Sequence, residues 1–442
     1  VPFIHRGASC KYGETNDKNT FYHNRGNPRM NTNDTNRQKA HSMIDHIFKD
    51  LFPAQGMTER SEQIKLSHRM LDTMLDGGIA LCDAGTGIGK TYAYLTAAAA
   101  ASRFGTGSSH RPIIISTSSI ALQNAVQTEY LPLLSCTLLA DGQIDKPLLS
   151  VIRKGKGHYV CDERLQRRLR QVNFQKKDPA AADALRSLKD TLDMDKVPHL
   201  SGYDRERVCV PQFCDCDHQD CRYKRFLKRC DADRYVFQIC NHNLLLADAI
   251  HRMKKLPPLL GDFGILVVDE AHKLSDAAAQ MTGQSLSEKD AAELAAALSA
   301  EGYPYTAAQL RERCAALWAS LSPLAGKGER AAFRPDPGLQ AALQQAGKVF
   351  YHAFHRCAIS RTLQHRLGEA EQLLRAFSSL DRRKILYIDY GADETLFLCA
   401  ASKNVPEFLN RALWERKIPV ILTSGTLLAG GSFHRTEQVL GL

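Results

Sequence analysis

Eight residues, AGTGIGKT at 84–91, place three glycines, a lysine and a threonine at a spacing that suits a phosphate chain. Gly85, Gly87 and Gly89 let the backbone turn with its N–H groups inward, and the positive end of a following helix adds to the pull on an anion. Lys90 can reach β- and γ-phosphates, and Thr91 can coordinate Mg²⁺. The strict pattern asks for glycine at the first position, where this chain has Ala84. A second pattern, VVDEAH at 267–272, sets Asp269 and Glu270 after a short apolar run. Ligands of α/β sheets collect at the carboxyl ends of such strands. There Asp269 would hold Mg²⁺ through water, and Glu270 would orient and deprotonate an attacking water. Loop and carboxylates together predict a nucleoside triphosphate hydrolase.

A third pattern is VCVPQFCDCDHQDC at 208–221, which packs Cys209, Cys214, Cys216 and Cys221 into one loop, with Cys161 upstream. Thiolates so spaced in a reducing compartment point to metal, and the four close cysteines could by themselves hold zinc. Basic residues surround these cysteines. Arg153, Lys154 and Lys156 precede Cys161; Arg164, Arg167, Arg168, Arg170, Lys176 and Lys177 follow it; Arg222, Lys224, Arg225, Lys228 and Arg229 follow Cys221. Tyr159, Phe174, Tyr223 and Phe226 are interleaved. Positive charge follows a nucleic-acid backbone and rings stack on bases, so the text suits a single strand.

The elements that must hold these groups read as α/β. Gln63–Leu75 and His41–Leu51 have helical spacing, Ile79–Cys82 is a short buried strand, and Tyr92–Ser102 is an Ala-rich helix. Pro112–Thr117 (PIIIST) is a strand and Ile120–Leu134 a helix. This alternation predicts a parallel sheet with helices on both faces. Residues 275–380 read as mostly helical, and strand text returns at 385–390, 395–400 and 418–426. The chain has 442 residues, 44% of them apolar, and a net charge of +10, consistent with a polyanionic partner. No apolar run approaches the roughly 20 residues that span a bilayer, and the first residues lack the apolar centre of a signal peptide, so we expect a cytoplasmic protein without a membrane partner.

AGTGIGKT with DEAH resembles the superfamily 2 helicases. ISTSSIALQ (115–123), KGKGHYVC (154–161), CNHNLLLAD (240–248) and LTSGTLLAGGSFHRTEQVLGL (422–442) narrow the resemblance to the iron–sulfur DNA helicases of the DinG and XPD type. It runs from about residue 58 to the end. It implies an ATP-dependent 5′-to-3′ DNA helicase acting on single-stranded or forked DNA, with ATP, Mg²⁺ and a [4Fe–4S] cluster. Nucleotide would be held by Ala84, Gly85, Thr86, Gly87, Ile88, Gly89, Lys90 and Thr91, with Arg60 and Gln63 where a Gln-type adenine motif precedes the loop. The cluster would sit on Cys161, Cys209, Cys216 and Cys221, with Cys214 as the substitute for Cys216. Ser116, Thr117 and Gln123, with Arg153, Lys154, Lys156 and Tyr159, would lie along DNA. Thr423, Ser424, Gly425 and Thr426 would couple hydrolysis to domain movement. Two departures from the family are Asp83 for the usual Glu and Gly425 for the usual Ala.

The implied organisation is a RecA-like P-loop domain with two insertions. Residues 1–40 are expected to be disordered, 41–150 to begin the helicase domain, and 151–235 to form the iron–sulfur domain. Residues 236–275 would return to the helicase domain, 276–384 would form a helical arch, and 385–442 would complete the first domain. A second RecA-like half, encoded downstream or on another chain, is expected to supply arginines to the γ-phosphate. Without it, these residues should bind ATP and DNA but hydrolyse slowly. Two alternatives are a non-catalytic DNA-binding fragment and a zinc-bearing P-loop ATPase.

Overall fold

The computed structural model describes residues 3–6, 32–85, 87–105, 111–175, 179–214, 220–231, 234–324, 330–390 and 395–442. The chain divides into two compact units. The first comprises 1–210, 218–275 and 408–442, and the second comprises 211–217 and 276–407.

Seven strands form the sheet of the first unit: β1 (Phe3–Arg6), β2 (Ile79–Asp83), β3 (Ile113–Thr117), β4 (Ser150–Ile152), β5 (Phe237–Cys240), β6 (Ile265–Asp269) and, last in the chain, β11 (Val420–Ser424). Their order is β1-β2-β11-β6-β3-β5-β4, all parallel except β1, which pairs antiparallel with β2. Strands β3, β6 and β11 are buried at every residue. Their unbroken runs IIIST, ILVVD and VILTS suit a sheet covered on both faces. The Ala-rich helix Lys90–Phe104 buries Ala93 to Ala101, because methyl side chains let neighbouring elements approach closely. The helix Ser61–Asp76 packs on it. Backbone pairing at Phe3–Arg6 and the first nine residues of the helix Thr32–His46 fall inside 1–40, the segment expected to be disordered.

Two expected helices carry π turns, Ile47–Leu51 and Val126–Tyr130. Pro53 and Pro132 follow them within two residues, and a proline removes the N–H that the next α-type bond needs. Between β4 and β5 lie four helices, Asp162–Gln175, Pro179–Ser187, Gly202–Val208 and Arg222–Asp231. They carry a small core that includes Leu165, Leu185, Leu188, Met194 and Val208.

The second unit has four long helices, Glu288–Ala300, Pro304–Leu321, Pro337–Arg356 and Arg361–Ser378. It also has an antiparallel sheet of β7 (Gln284–Ser287), β8 (Ala331–Ala332), β9 (Lys384–Tyr390) and β10 (Leu396–Ser402), in the order β7-β10-β9-β8. Leu286, Ile388 and Leu398 bury one face with Leu310, Leu343, Phe350, Leu367 and Phe377 of the helices. The strand text at 385–390 and 395–400 therefore belongs to this unit, which corrects the expected boundary at 384. The physical reason is visible in β9. Only Ile388 of its seven residues is buried, as in an antiparallel strand with a wet face, unlike the wholly buried strands of the parallel sheet.

Candidate nucleotide site

Strands β2, β11 and β6 are neighbours, so their carboxyl ends, Asp83, Ser424 and Asp269, stand side by side. The phosphate loop leaves β2 and enters the helix at Lys90. Gly87 and Gly89 have φ of +87° and +88°, the left-handed region where a side chain is strained. Lys90 Nζ donates to the Ala84 carbonyl at 2.9 Å, which keeps the ammonium at the mouth of the loop. Thr86 lies outside the described residues. Arg60 donates to the Gly87 carbonyl, and Gln63 Nε2 donates to the Gly89 carbonyl at 2.7 Å. Both residues of the expected adenine motif thus brace the loop itself, and Gln63 is only 7% exposed.

Asp269 is 2% exposed. Its Oδ1 accepts the Glu270 N–H at 2.9 Å, and Tyr94 donates its hydroxyl to Oδ2 at 3.3 Å. Burial pushes its carboxyl up to about 6; the Glu270 N–H and Lys90 oppose the shift, while the Glu270 charge adds to it. A buried carboxylate that is costly to ionise alone is a natural partner for a cation. Glu270 follows in the left-handed region, φ +54°, which is uncommon for a non-glycine residue and is found where a site fixes it.

His272 ties the two strand ends together: its Nδ1 is 2.7 Å from Ser424 Oγ and 3.3 Å from Glu270 Oε2. Ser424 also accepts the Ala84 N–H at 2.9 Å through its carbonyl. Thr426 donates its N–H to Ser424 Oγ at 3.3 Å, and Thr423 Oγ1 is buried without a hydrogen-bond partner. Gly425 lies against the loop; a Cβ there would stand 3.4 Å from the Ala84 carbonyl, so the usual alanine would also fit. Asp83 accepts the N–H groups of Leu427 and Leu428 at 2.7 and 3.3 Å, tying the segment after β11 to β2. Sequence reasoning gave no role to Asp83, His272 or Tyr94; only the adjacency of β2, β11 and β6 reveals them.

The residues expected along DNA divide. Ser116 and Thr117 are fully buried, and Gln123 is 4% exposed with its amide on the Thr117 carbonyl. Arg153 is 4% exposed and donates to Gln238 Oε1 at 2.7 Å and the Leu259 carbonyl at 2.6 Å. Tyr159 is 3% exposed; its ring packs on Tyr223 and Phe226, and its hydroxyl accepts the Lys154 N–H. These five hold the fold rather than face a strand, because their polar groups are occupied inside it. Lys154 is paired with Asp193 and Asp195 at 2.7 and 2.9 Å. Lys156 is half-buried in the turn Lys156–His158. Exposed positive charge lies instead on the helix Arg222–Asp231, at Lys224, Arg225, Lys228 and Arg229.

Backbone pairing brings Cys161 and Cys209 onto adjacent segments: Val160 bridges Cys209, and the Cys161 N–H donates to the Val208 carbonyl at 2.7 Å. Cys161 and Cys221 each open a helix, their carbonyls accepting the N–H of Leu165 and Arg225. The next residues in each helix, Asp162 and Arg222, are joined by a 2.8 Å bond. Helix N-termini favour thiolates, so the donor chemistry suits a thiolate-held group. Among the described residues no three His, Cys, Asp or Glu side chains already converge as a metal site. Cys214 is exposed, and Cys216 lies outside the described residues. No helix among the described residues is long and apolar enough to cross a membrane.

No family model matches the chain. It is 29% identical over 257 residues to the ATP-dependent DNA helicase YoaA of Escherichia coli, covering 54% of this chain and 37% of that one. It is 29% identical over 255 residues to the 3'-5' exonuclease DinG of Bacillus subtilis, covering 54% and 25%. A match to the probable ATP-dependent helicase YpvA of the same organism, at 22% identity, extends over 92% of this chain and 67% of that one. The chain thus spans well under half the length of the YoaA and DinG relatives. Over about half of its length the chain is thus similar to relatives that bear the names YoaA and DinG.

Proposed function

We propose that the chain is the ATP-binding half of an ATP-dependent, iron–sulfur type DNA helicase that couples hydrolysis to 5′-to-3′ movement along a single strand. The observation that carries this reading is the meeting of Lys90, Asp269 and Ser424 at the ends of three adjacent strands. Mg·ATP enters with its phosphates on the loop amides and Lys90. Thr91 and Asp269 would hold Mg²⁺, which would neutralise phosphate charge there. Glu270 takes a proton from the attacking water. The Ser424–His272–Glu270 contacts give hydrolysis a route to the segment Thr423–Thr426. A second RecA-like half would add arginines to the γ-phosphate, where such groups stabilise transition-state charge.

Cys161, Cys209, Cys221 and Cys216, or Cys214 in its place, would hold a [4Fe–4S] cluster. Those cysteines would supply thiolate ligation, and a cluster held by them would cross-link the helices between β4 and β5. The exposed cations of Arg222–Asp231 would follow the DNA backbone, and phosphate contact makes such binding fall steeply with salt.

The test is phosphate release by the purified chain with and without single-stranded DNA. Stimulation that Lys90→Ala abolishes is the expected result. Intact DNA binding with no hydrolysis at all would favour a non-catalytic fragment. Anaerobic purification tests the metal: a brown protein whose iron is lost in Cys161→Ser is expected, and a colourless zinc protein would overturn that assignment.

A further inference from the structure

Tyr94 is the largest fully buried side chain among the described residues, at 0% exposure. Its hydroxyl is the one polar atom of the ring, and an enclosed hydroxyl calls for a partner. The partner lies on another element: Tyr94 Oη donates to Asp269 Oδ2 at 3.3 Å. The other carboxylate oxygen, Oδ1, accepts the Glu270 N–H at 2.9 Å. That N–H belongs to the next residue in the chain, so Tyr94 is the distant anchor of the carboxylate. Tyr94 stands four residues after Lys90 and three after Thr91 in the helix Lys90–Phe104. Residues so spaced share one helix face, a turn apart.

We infer that Tyr94 is a positioning residue for the magnesium site: its hydroxyl sets the orientation of the Asp269 carboxylate relative to the helix that carries Lys90 and Thr91. This rests on the nucleotide-binding reading above. A carboxylate turns readily about the bond that joins it to its Cβ. The Glu270 N–H alone restrains one oxygen. With the Tyr94 hydroxyl on the second, the carboxylate plane is held at two points. The Tyr94 bond is longer than the usual separation of about 2.7–2.8 Å between two oxygens. It therefore contributes direction more than stability. The hydroxyl moves with the helix, so the phosphate lysine, the magnesium threonine and the magnesium carboxylate keep one register before nucleotide arrives. Groups that orient a metal ligand in this way set how well the site takes its ion. Thr96, two residues further along the same helix, supplies a contrast. Its Oγ1 is also buried but has no hydrogen-bond partner.

Tyr94→Phe removes the hydroxyl and keeps the ring. Thr96→Val removes a hydroxyl of equal burial and serves as the control. The measurement is the affinity of the full chain for a non-hydrolysable ATP analogue in excess Mg²⁺ and in EDTA, together with Tm. The ratio of the two affinities reads the metal's share of binding. Tyr94→Phe should reduce that ratio by about tenfold, the lower end for groups that orient metal ligands. Affinity in EDTA and Tm should stay near wild type, and Thr96→Val should change none of the three. In an Asp269→Asn background, Tyr94→Phe should leave the ratio unchanged, because the two act through one contact. An unchanged ratio in Tyr94→Phe overturns the inference. So does an equal loss in the Asp269→Asn background, or a loss matched in EDTA and in Tm, which would mark a merely structural hydroxyl. A wild-type chain that shows no binding, or no gain from Mg²⁺, sinks the nucleotide reading itself, and the inference with it.

Discussion

Gly89→Ala puts the geometry of the phosphate loop to a quantitative test. Gly89 has φ +88°, and a Cβ there would lie 2.2 Å from Gln63 Nε2 and 2.7 Å from Gln63 Cδ. The left-handed backbone costs an alanine about 1–2 kcal/mol. Gln63 must also swing away and break its 2.7 Å bond to the Gly89 carbonyl, a loss of about 1 kcal/mol. The sum is about 2–3 kcal/mol. If the folded loop bears it, Tm falls by about 3–5 °C in a unit of this size. If the loop instead relaxes out of its phosphate-binding shape, the same energy appears as about 30- to 150-fold weaker Mg·ATP binding. Thermal melting and titration with a fluorescent ATP analogue read the two together. Gly85→Ala is the control for folding, since Gly85 lacks a positive φ and a Cβ there meets nothing within 4 Å; its Tm should match wild type. A Gly89→Ala chain with wild-type Tm and wild-type nucleotide affinity would refute both the left-handed turn and the Gln63 brace.

Other consequences follow from single side chains. The carboxyl of Asp269, raised to about 6 by burial, binds its proton more tightly when folded than when unfolded. The nucleotide-free chain should therefore lose stability as pH rises from about 4 to about 6, the window between the unfolded value and the folded one. Asp269→Asn should flatten that slope and raise Tm at pH 7 while abolishing Mg²⁺-dependent hydrolysis; an unchanged slope in melts across this range would contradict the burial argument. Arg153→Met should destabilise the fold by about 1–3 kcal/mol and so lower Tm, because Gln238 Oε1 and the Leu259 carbonyl lose their donor. Arg153→Met should leave the salt dependence of DNA binding unchanged. Lys228→Ala with Arg229→Ala should do the reverse, reducing the slope of log affinity against log salt by about one for each phosphate no longer neutralised.

What was legible in the sequence was local. The spacing of AGTGIGKT fixes a loop between strand and helix, and the unbroken β-branched runs mark the interior of a parallel sheet. The sharing of work among distant residues was not legible. Arg153 and Tyr159 look like nucleic-acid contacts because their types are right, yet burial decides their role, and burial depends on the packing of Tyr223, Phe226 and Gln238 around them. The strands at 384–390 and 396–402 were visible, but their sheet was not, since pairing with β7 and β8 is a long-range choice. Strands β4 and β5 went unread because a basic, helical stretch of more than eighty residues separates two runs of three and four.

The central claim is that this pocket takes up a magnesium-bound triphosphate, and calorimetric titration of the wild-type chain and Lys90→Ala with a non-hydrolysable Mg·ATP analogue tests it most directly. The account expects saturable one-to-one binding by wild type that Lys90→Ala weakens by tenfold or more, about 1.4 kcal/mol. No heat of binding at millimolar ligand, or equal binding by the two chains, would contradict it.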